Sequence, residues 1–205
     1  MVTIIDYGSG NVSAIGNIYD QLNIKYKIID KVIDFPRETT KIILPGVGAF
    51  DETMKSLNIS GFRELLDEKV ISEKISVLGI CVGMQILSEG SEEGELEGLG
   101  WVKGFVKKFD VTKLNFLPKI PHLGWNSINP TVSSKLFDCV DFETGFYFIH
   151  SYYFQCINSS DILTTSQYGD TFTSSINREN IFGTQFHPEK SHKNGIQLLK
   201  NFYYL

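Results

Sequence analysis

The segment Gly79-Ile80-Cys81-Val82-Gly83 holds a cysteine between two glycines. It lies where an apolar run, Ile75-Ser76-Val77-Leu78, gives way to the helix-compatible Met84-Gln85-Ile86-Leu87. Gly-x-nucleophile-x-Gly between strand and helix is the pattern of a nucleophile elbow. The nucleophile's backbone is forced into a strained turn, and side chains at the flanking positions would collide with neighbouring elements. A cysteine placed there meets the partial positive charge and free N–H groups of a helix N-terminus, which favour the thiolate. Such help is needed, because a thiol with a pKa near ~8.5 is only a few per cent ionised at neutral pH. The N–H of Val82 points where an oxyanion would form. Cys139 and Cys156 have no comparable context and read as structural.

A nucleophilic cysteine needs a base within hydrogen-bond reach. Of the four histidines, His122, His150, His187 and His192, the best placed by sequence is His187, in Phe186-His187-Pro188-Glu189-Lys190-Ser191. Pro188 biases His187 to an extended conformation. Residues two apart in an extended segment point to the same side. Glu189 can then accept from one imidazole nitrogen while the other faces the thiol, as in a triad. His150 is the second choice as base and suits a pocket wall; His122 and His192 are not read as catalytic. A second oxyanion donor is sought in Pro45-Gly46-Val47-Gly48-Ala49-Phe50, where two glycines in three residues leave N–H groups exposed. The amide of Val47 is the candidate. Losing one such donor costs on the order of 10²–10³ in rate.

These residues need a scaffold that brings them to one edge. Val2 to Asp6 reads as a strand ending in the turn Tyr7-Gly8-Ser9-Gly10-Asn11, followed by a helix to about Leu22 with Val12, Ile15, Ile18, Tyr19 and Leu22 on one face. Strands are expected over Lys25–Ile29, Lys41–Leu44 and Ile75–Ile80, with a helical region over about Asp51–Lys69. This alternation predicts a mostly parallel, doubly wound α/β sheet with helices on both faces, whose sites form beyond the carboxyl ends of the strands. In the second half, Trp101–Phe109, Phe146–Tyr153, Thr171–Ile176 and Ile181–Phe186 are rich in β-branched and aromatic residues and predict antiparallel strands that complete the sheet. His192–Tyr204 predicts a terminal helix. The lysine-rich stretch Phe105 to Ile120 fits no motif.

Length and composition agree. The 205 residues suit one domain over 1–205. Hydrophobic residues at 42% suffice for a sizeable core. A net charge of -5 with no basic run argues against nucleic-acid binding. No apolar stretch approaches the roughly 18 residues of a membrane span, and the N-terminus has no signal-peptide pattern. A cytoplasmic protein is expected. Three widely spaced cysteines suggest neither a disulfide framework nor a zinc site, and no metal or cofactor is expected.

Six stretches together resemble the class I glutamine amidotransferases, most closely the glutaminase subunits of imidazole glycerol phosphate synthase. They are Ile5-Asp6-Tyr7-Gly8-Ser9-Gly10-Asn11, Pro45 to Phe50, Gly79 to Gln85, Pro121-His122-Leu123-Gly124-Trp125-Asn126, Phe146 to Tyr153, and Gly183 to Ser191. The resemblance implies a Cys81–His187–Glu189 triad, a thioester intermediate and an oxyanion hole at Val47 and Val82. It implies that Gly48, Gln85, Glu93 and the backbone near Ser151 and Tyr152 hold the substrate glutamine. Spacing agrees for Gln85, one helical turn past the nucleophile on the same face, whereas Glu93 also reads as an exposed acid in an acidic run. The implied partner is a (β/α)8-barrel cyclase, in a heterodimer that channels ammonia for histidine biosynthesis. Trp125, Asn126 and Lys190 would lie near that interface. Trp125 suits an interface anchor and equally a core aromatic. Similar subunits serve sugar amidotransferases of surface polysaccharide biosynthesis, and the triad would be the same there.

Overall fold

The computed structural model of the chain describes residues 1–114, 117 and 119–205. Its centre is an eight-stranded sheet. Strands β1 (Val2–Ile5), β2 (Tyr26–Ile29), β3 (Lys41–Gly46) and β4 (Ser76–Cys81) come from the first half. The short β7 (Asn129–Pro130), β10 (Ile162–Tyr168), β11 (Asp170–Arg178) and β12 (Ile181–Thr184) come from the second. The order is β2-β1-β3-β4-β12-β11-β10-β7. The first five are parallel neighbours, and the last three join antiparallel. β1 and β3 are buried along their whole length, as expected of parallel strands covered on both faces. Helix α1 (Val12–Gln21) packs with α5 (His192–Tyr204), and α2 (Phe50–Ile59) with α3 (Phe62–Leu66) and α4 (Val82–Gln85). Among the described residues no helix is long and apolar enough to cross a membrane.

The expected helix over Asp51–Lys69 is broken in two. Gly61 takes φ 75°, a left-handed conformation that ends α2, and the chain resumes as α3 and then a π-helical turn, Asp67–Ser72. The expected strand Phe146–Tyr153 also divides. β8 (Phe146–His150) pairs antiparallel with β6 (His122–Asn126), and β9 (Tyr152–Cys156) with β5 (Gly104–Lys108). Ser151 is the corner where the chain changes partner, so these four strands form two small sheets outside the main one. Trp101–Phe109 is strand only over β5. The lysine-rich stretch supplies most of β5 and a 3-10 turn, Val111–Lys113, and its residues 115, 116 and 118 lie outside the described residues.

Strand β10 escaped the sequence reading. Its buried positions include Thr164 and Ser166, so one face is hydroxylic and the apolar alternation is lost. The hydroxyls compensate one another: Thr164 Oγ1 lies 2.8 Å from Ser174 Oγ and 2.6 Å from Ser175 Oγ on β11. β12 then sits beside β4 in parallel register, Ile181 opposite Val77 and Thr184 opposite Ile80. On the other side of β4, Gly46 stands opposite Cys81. The carboxyl ends of β3, β4 and β12 therefore open at one edge. The chain leaves them as the glycine loop, the cysteine turn and the histidine loop.

Candidate active site

Cys81 ends β4 with φ 56° and ψ −112°, a left-side conformation that an L-residue keeps only when its surroundings enforce it. The enforcement comes from close packing at the glycines. A Cβ on Gly83 would lie 2.0 Å from the Leu44 carbonyl oxygen, and one on Gly79 would lie 2.5 Å from the Gly83 oxygen. β4, its turn and β3 thus touch backbone to backbone. The following helix, α4, has just four residues. A helix of one turn brings little macrodipole to the sulfur, so any help from the chain beyond Cys81 is that of its first amides, beginning with Val82.

His187 leaves the end of β12 and is tied down from several sides. Its N–H donates to Tyr147 O at 2.9 Å. The Ser191 hydroxyl donates to His187 O at 2.6 Å and accepts from Tyr147 N at 3.0 Å. Phe186 stacks on Phe146 with ring centres 3.9 Å apart. In the side chain, Nδ1 lies 2.7 Å from Glu189 Oε1, and both side chains are nearly inaccessible, at 3% and 2% exposure. His187 Nε2 is buried with no hydrogen-bond partner among the described residues, as is Glu189 Oε2. Burial disfavours the imidazolium, but the Cys81 sulfur and the Glu189 carboxylate outweigh it and hold the His187 pKa up at about 10.

A cleft of about 420 Å³ opens over these groups, enough for an amino acid. Cys81, Val82, Val47, Gly48, Gln85, Glu93, Ser151, Tyr152, His187 and Lys190 all line it, and Glu189 stands behind His187. Glu93 is thus on the wall, where its Oε2 accepts the amide of Phe50 at 2.9 Å and caps α2. Val47 is also there, but its N–H donates to Ser9 Oγ at 2.9 Å, and its carbonyl accepts from the same hydroxyl at 3.0 Å. In this conformation the Val47 amide is turned to Ser9. Lys190 sets its ammonium over the Tyr147 ring, 5.7 Å from the centroid.

Trp125 and Asn126 lie away from the cleft lining. Trp125 is 44% exposed and stacked on His192 at 5.4 Å, which excludes a core role. Asn126 donates to Gln167 O at 2.9 Å. His150 lines the cleft, yet both of its nitrogens are engaged, by Tyr152 O at 2.7 Å and by His122 Nδ1 at 3.0 Å. Burial pushes its pKa down to about 3 and that of His122 to about 4, so both are neutral near pH 7.

Sequence reasoning missed two residues at the site. In the sequence Ser9 reads only as part of the turn Tyr7 to Asn11, with no role of its own. Gln185 did carry a signal, because the two-residue spacing that pairs His187 with Glu189 also includes Gln185. Its Nε2 lies 3.7 Å from Cys81 Sγ, and its Oε1 lies 3.1 Å from Gln85 Nε2.

A family model described as glutamine amidotransferase class-I matches residues 3–205. The chain is 48% identical over 202 residues to a Leptospira interrogans protein named imidazole glycerol phosphate synthase subunit HisH, with 98% of each chain covered. A protein of the same name from Bdellovibrio bacteriovorus is 48% identical over 203 residues, again with 98% of each covered. Two solved structures share the fold. One is a glutamine amidotransferase with TM-score 0.71 and 16% identity, covering 99% of this chain and 97% of its own. The other is PurLQS from Thermotoga maritima, with TM-score 0.72, 15% identity and the same coverage.

Proposed function

Because this chain belongs to the class I glutamine amidotransferases, grouped there with the HisH subunits of imidazole glycerol phosphate synthase, we propose that its cleft hydrolyses glutamine through Cys81, His187 and Glu189. One observation carries this reading. A buried imidazole is oriented at Nδ1 by a buried carboxylate, and the Cys81 sulfur and that carboxylate raise its basicity. That is the arrangement of a base that has taken the proton of a nucleophile.

The Cys81 thiolate adds to the side-chain amide carbon of glutamine, forming a C–S bond and moving the carbonyl electrons onto oxygen. The Val82 amide faces that oxygen, and the Val47 amide joins it once released from Ser9. The His187 imidazolium gives its proton to the amide nitrogen, the C–N bond breaks, and ammonia leaves behind a thioester. His187, now neutral, takes a proton from water as the hydroxyl adds to the thioester carbon. Collapse expels the thiolate and leaves glutamate. Glu93 offers a carboxylate to the substrate ammonium. Gln85 offers Oε1, since its nitrogen is already engaged. Gly48 and the backbone of Ser151 and Tyr152 remain for the substrate carboxylate.

Free ammonia is protonated in water and loses its nucleophilicity, so the product must pass to an acceptor site without release. The whole chain is read as one domain, the glutaminase half of a heterodimer with a (β/α)8-barrel cyclase of histidine biosynthesis, docked near Trp125, Asn126 and Lys190. Glutamate release is measured with and without that cyclase and its ligand. Strong stimulation is expected, and Cys81→Ala should abolish release while retaining the fold and cyclase binding. Release persisting in Cys81→Ala would refute the nucleophile. No stimulation by the cyclase would move the acceptor to another synthase.

A further inference from the structure

A backbone carbonyl can only accept hydrogen bonds, and at Tyr152 this fixes the direction of a buried polar chain. The Tyr152 oxygen lies 3.0 Å from the end of the Gln85 side chain, so the Gln85 atom facing it is the amide nitrogen. That nitrogen is 3.1 Å from the Gln185 side chain, so the Gln185 atom facing it is the oxygen. The remaining end of Gln185 is its NH2 group, and it points at Cys81 Sγ, 3.7 Å away. Turning Gln185 over would set two NH2 groups against each other and an oxygen against the sulfur. Gln85 and Gln185 are 2% and 0% exposed, so little water is at hand to relieve that clash.

The other side of the carbonyl is fixed as well. His150 Nδ1 lies 2.7 Å from Tyr152 O and must carry a hydrogen. In a neutral imidazole its Nε2 then accepts from His122 Nδ1 at 3.0 Å, and His122 Nε2 accepts from Asn126 Nδ2 at 3.2 Å. Tyr152 O is therefore held between two rigid donors.

We propose that Gln185 is a catalytic residue: its side-chain N–H donates to the Cys81 sulfur, in a sense locked by Gln85 and the Tyr152 carbonyl. The proposal rests on Cys81 being the nucleophile but not on glutamine being the substrate. Besides His187, the sulfur has two polar neighbours with opposite effects. The Ile149 carbonyl, 4.0 Å away, can only accept and so favours the thiol. Gln185 can only donate from this orientation and so favours the thiolate, to which its bond should shorten. Without the lock, Gln185 would turn its oxygen to the thiol hydrogen and stabilise the wrong form.

The test is the pH profile of Cys81 alkylation by iodoacetamide in the full chain, read on the Cys81 peptide so that Cys139 and Cys156 do not interfere. In Gln185→Met, loss of a hydrogen bond to an ion should lower the alkylation rate below the midpoint by about tenfold or more and move the midpoint up. Gln85→Met, which unlocks Gln185 without removing it, should shift the profile the same way by less. In the unaltered protein, the Gln185 side-chain amide signals should titrate with the Cys81 alkylation midpoint. A folded Gln185→Met with an unchanged profile overturns the proposal. If that variant does not fold, a Gln185 signal that ignores Cys81 ionisation overturns it instead. Unaltered protein in which Gln185 titrates with Cys81 but no glutamate is released even with the cyclase and its ligand would refute the glutaminase reading and leave this one standing.

Discussion

At His187 burial opposes the imidazolium while Cys81 and Glu189 favour it, and the pair prevails. Glu189 matters for orientation as well as charge, because its oxygen at 2.7 Å dictates that Nδ1 carries the hydrogen and Nε2 is free for the sulfur. Glu189→Gln keeps the shape and lets the ring adopt the other tautomer. Glutamate release should fall on the order of 10²–10⁴-fold with little change in KM, by analogy with orienting carboxylates in other triads. Steady-state kinetics on a variant with an unchanged unfolding transition checks this; a loss smaller than threefold would remove Glu189 from the mechanism. Gly83 makes a steric claim at the same scale. A methyl group there would meet the Leu44 oxygen at 2.0 Å. Gly83→Ala should therefore cost about 1–3 kcal/mol of stability, the usual range for overpacking. Thermal unfolding gives the stability change, and Cys81 alkylation shows whether the turn has moved.

The elements hold the site through their ends. The first turn of α5 is pinned to the 141–145 loop by Asn194, whose Nδ2 donates to Asp141 O and Gly145 O at 2.7 Å each, and whose Oδ1 accepts from Asp141 N at 3.1 Å. That loop leads into β8, where Tyr147 grips both His187 and Ser191. Asn194→Ala strands the buried Gly145 carbonyl and should cost about 1–3 kcal/mol. Denaturant titration gives the stability loss. Glutamate release should fall further than the folded fraction does, because the histidine loop is supported by the same contacts. Equal losses in both would confine Asn194 to stability.

Across the whole molecule, His122, His150 and His187 shape stability in opposite directions on either side of pH 6.5, their ordinary pKa. His187 is raised to about 10, so the folded state binds more protons than the unfolded one between 6.5 and 10. Its contribution is full below about 6.5 and is lost as pH rises toward 10. His122 and His150 are lowered to about 4 and about 3, so below 6.5 the unfolded state binds more protons. Their contribution is present above about 6.5 and is lost as pH falls toward 4. Stability should therefore peak near pH 6.5. Chemical denaturation from pH 4 to 10 checks this, and His187→Gln should flatten the alkaline limb while leaving the acid limb in place. A flat profile across that range would contradict the assigned charge states.

The sequence by itself determined the parallel half of the fold, the cysteine turn and the pairing of His187 with Glu189. Apolar runs such as Val2–Ile5 and Ile42–Leu44 must be buried on both faces. Glycines on both sides of Cys81 permit a strand-to-helix turn that other residues would block. His187 and Glu189 reach each other through local geometry alone, two residues apart beside a proline. What needed long-range contacts stayed out of reach. Whether β12 would lie beside β4, and so bring residue 187 to residue 81, depends on pairing across about a hundred residues, where spacing gives no signal. β10 hid its buried face in hydroxyls that only β11 could satisfy. The Val47 amide turned to Ser9, and the sense of Gln185 followed from a carbonyl on a different sheet. A side chain's residue type sets which hydrogen bonds it can make. Which partners it meets, and so which atom faces the sulfur, is decided by tertiary packing.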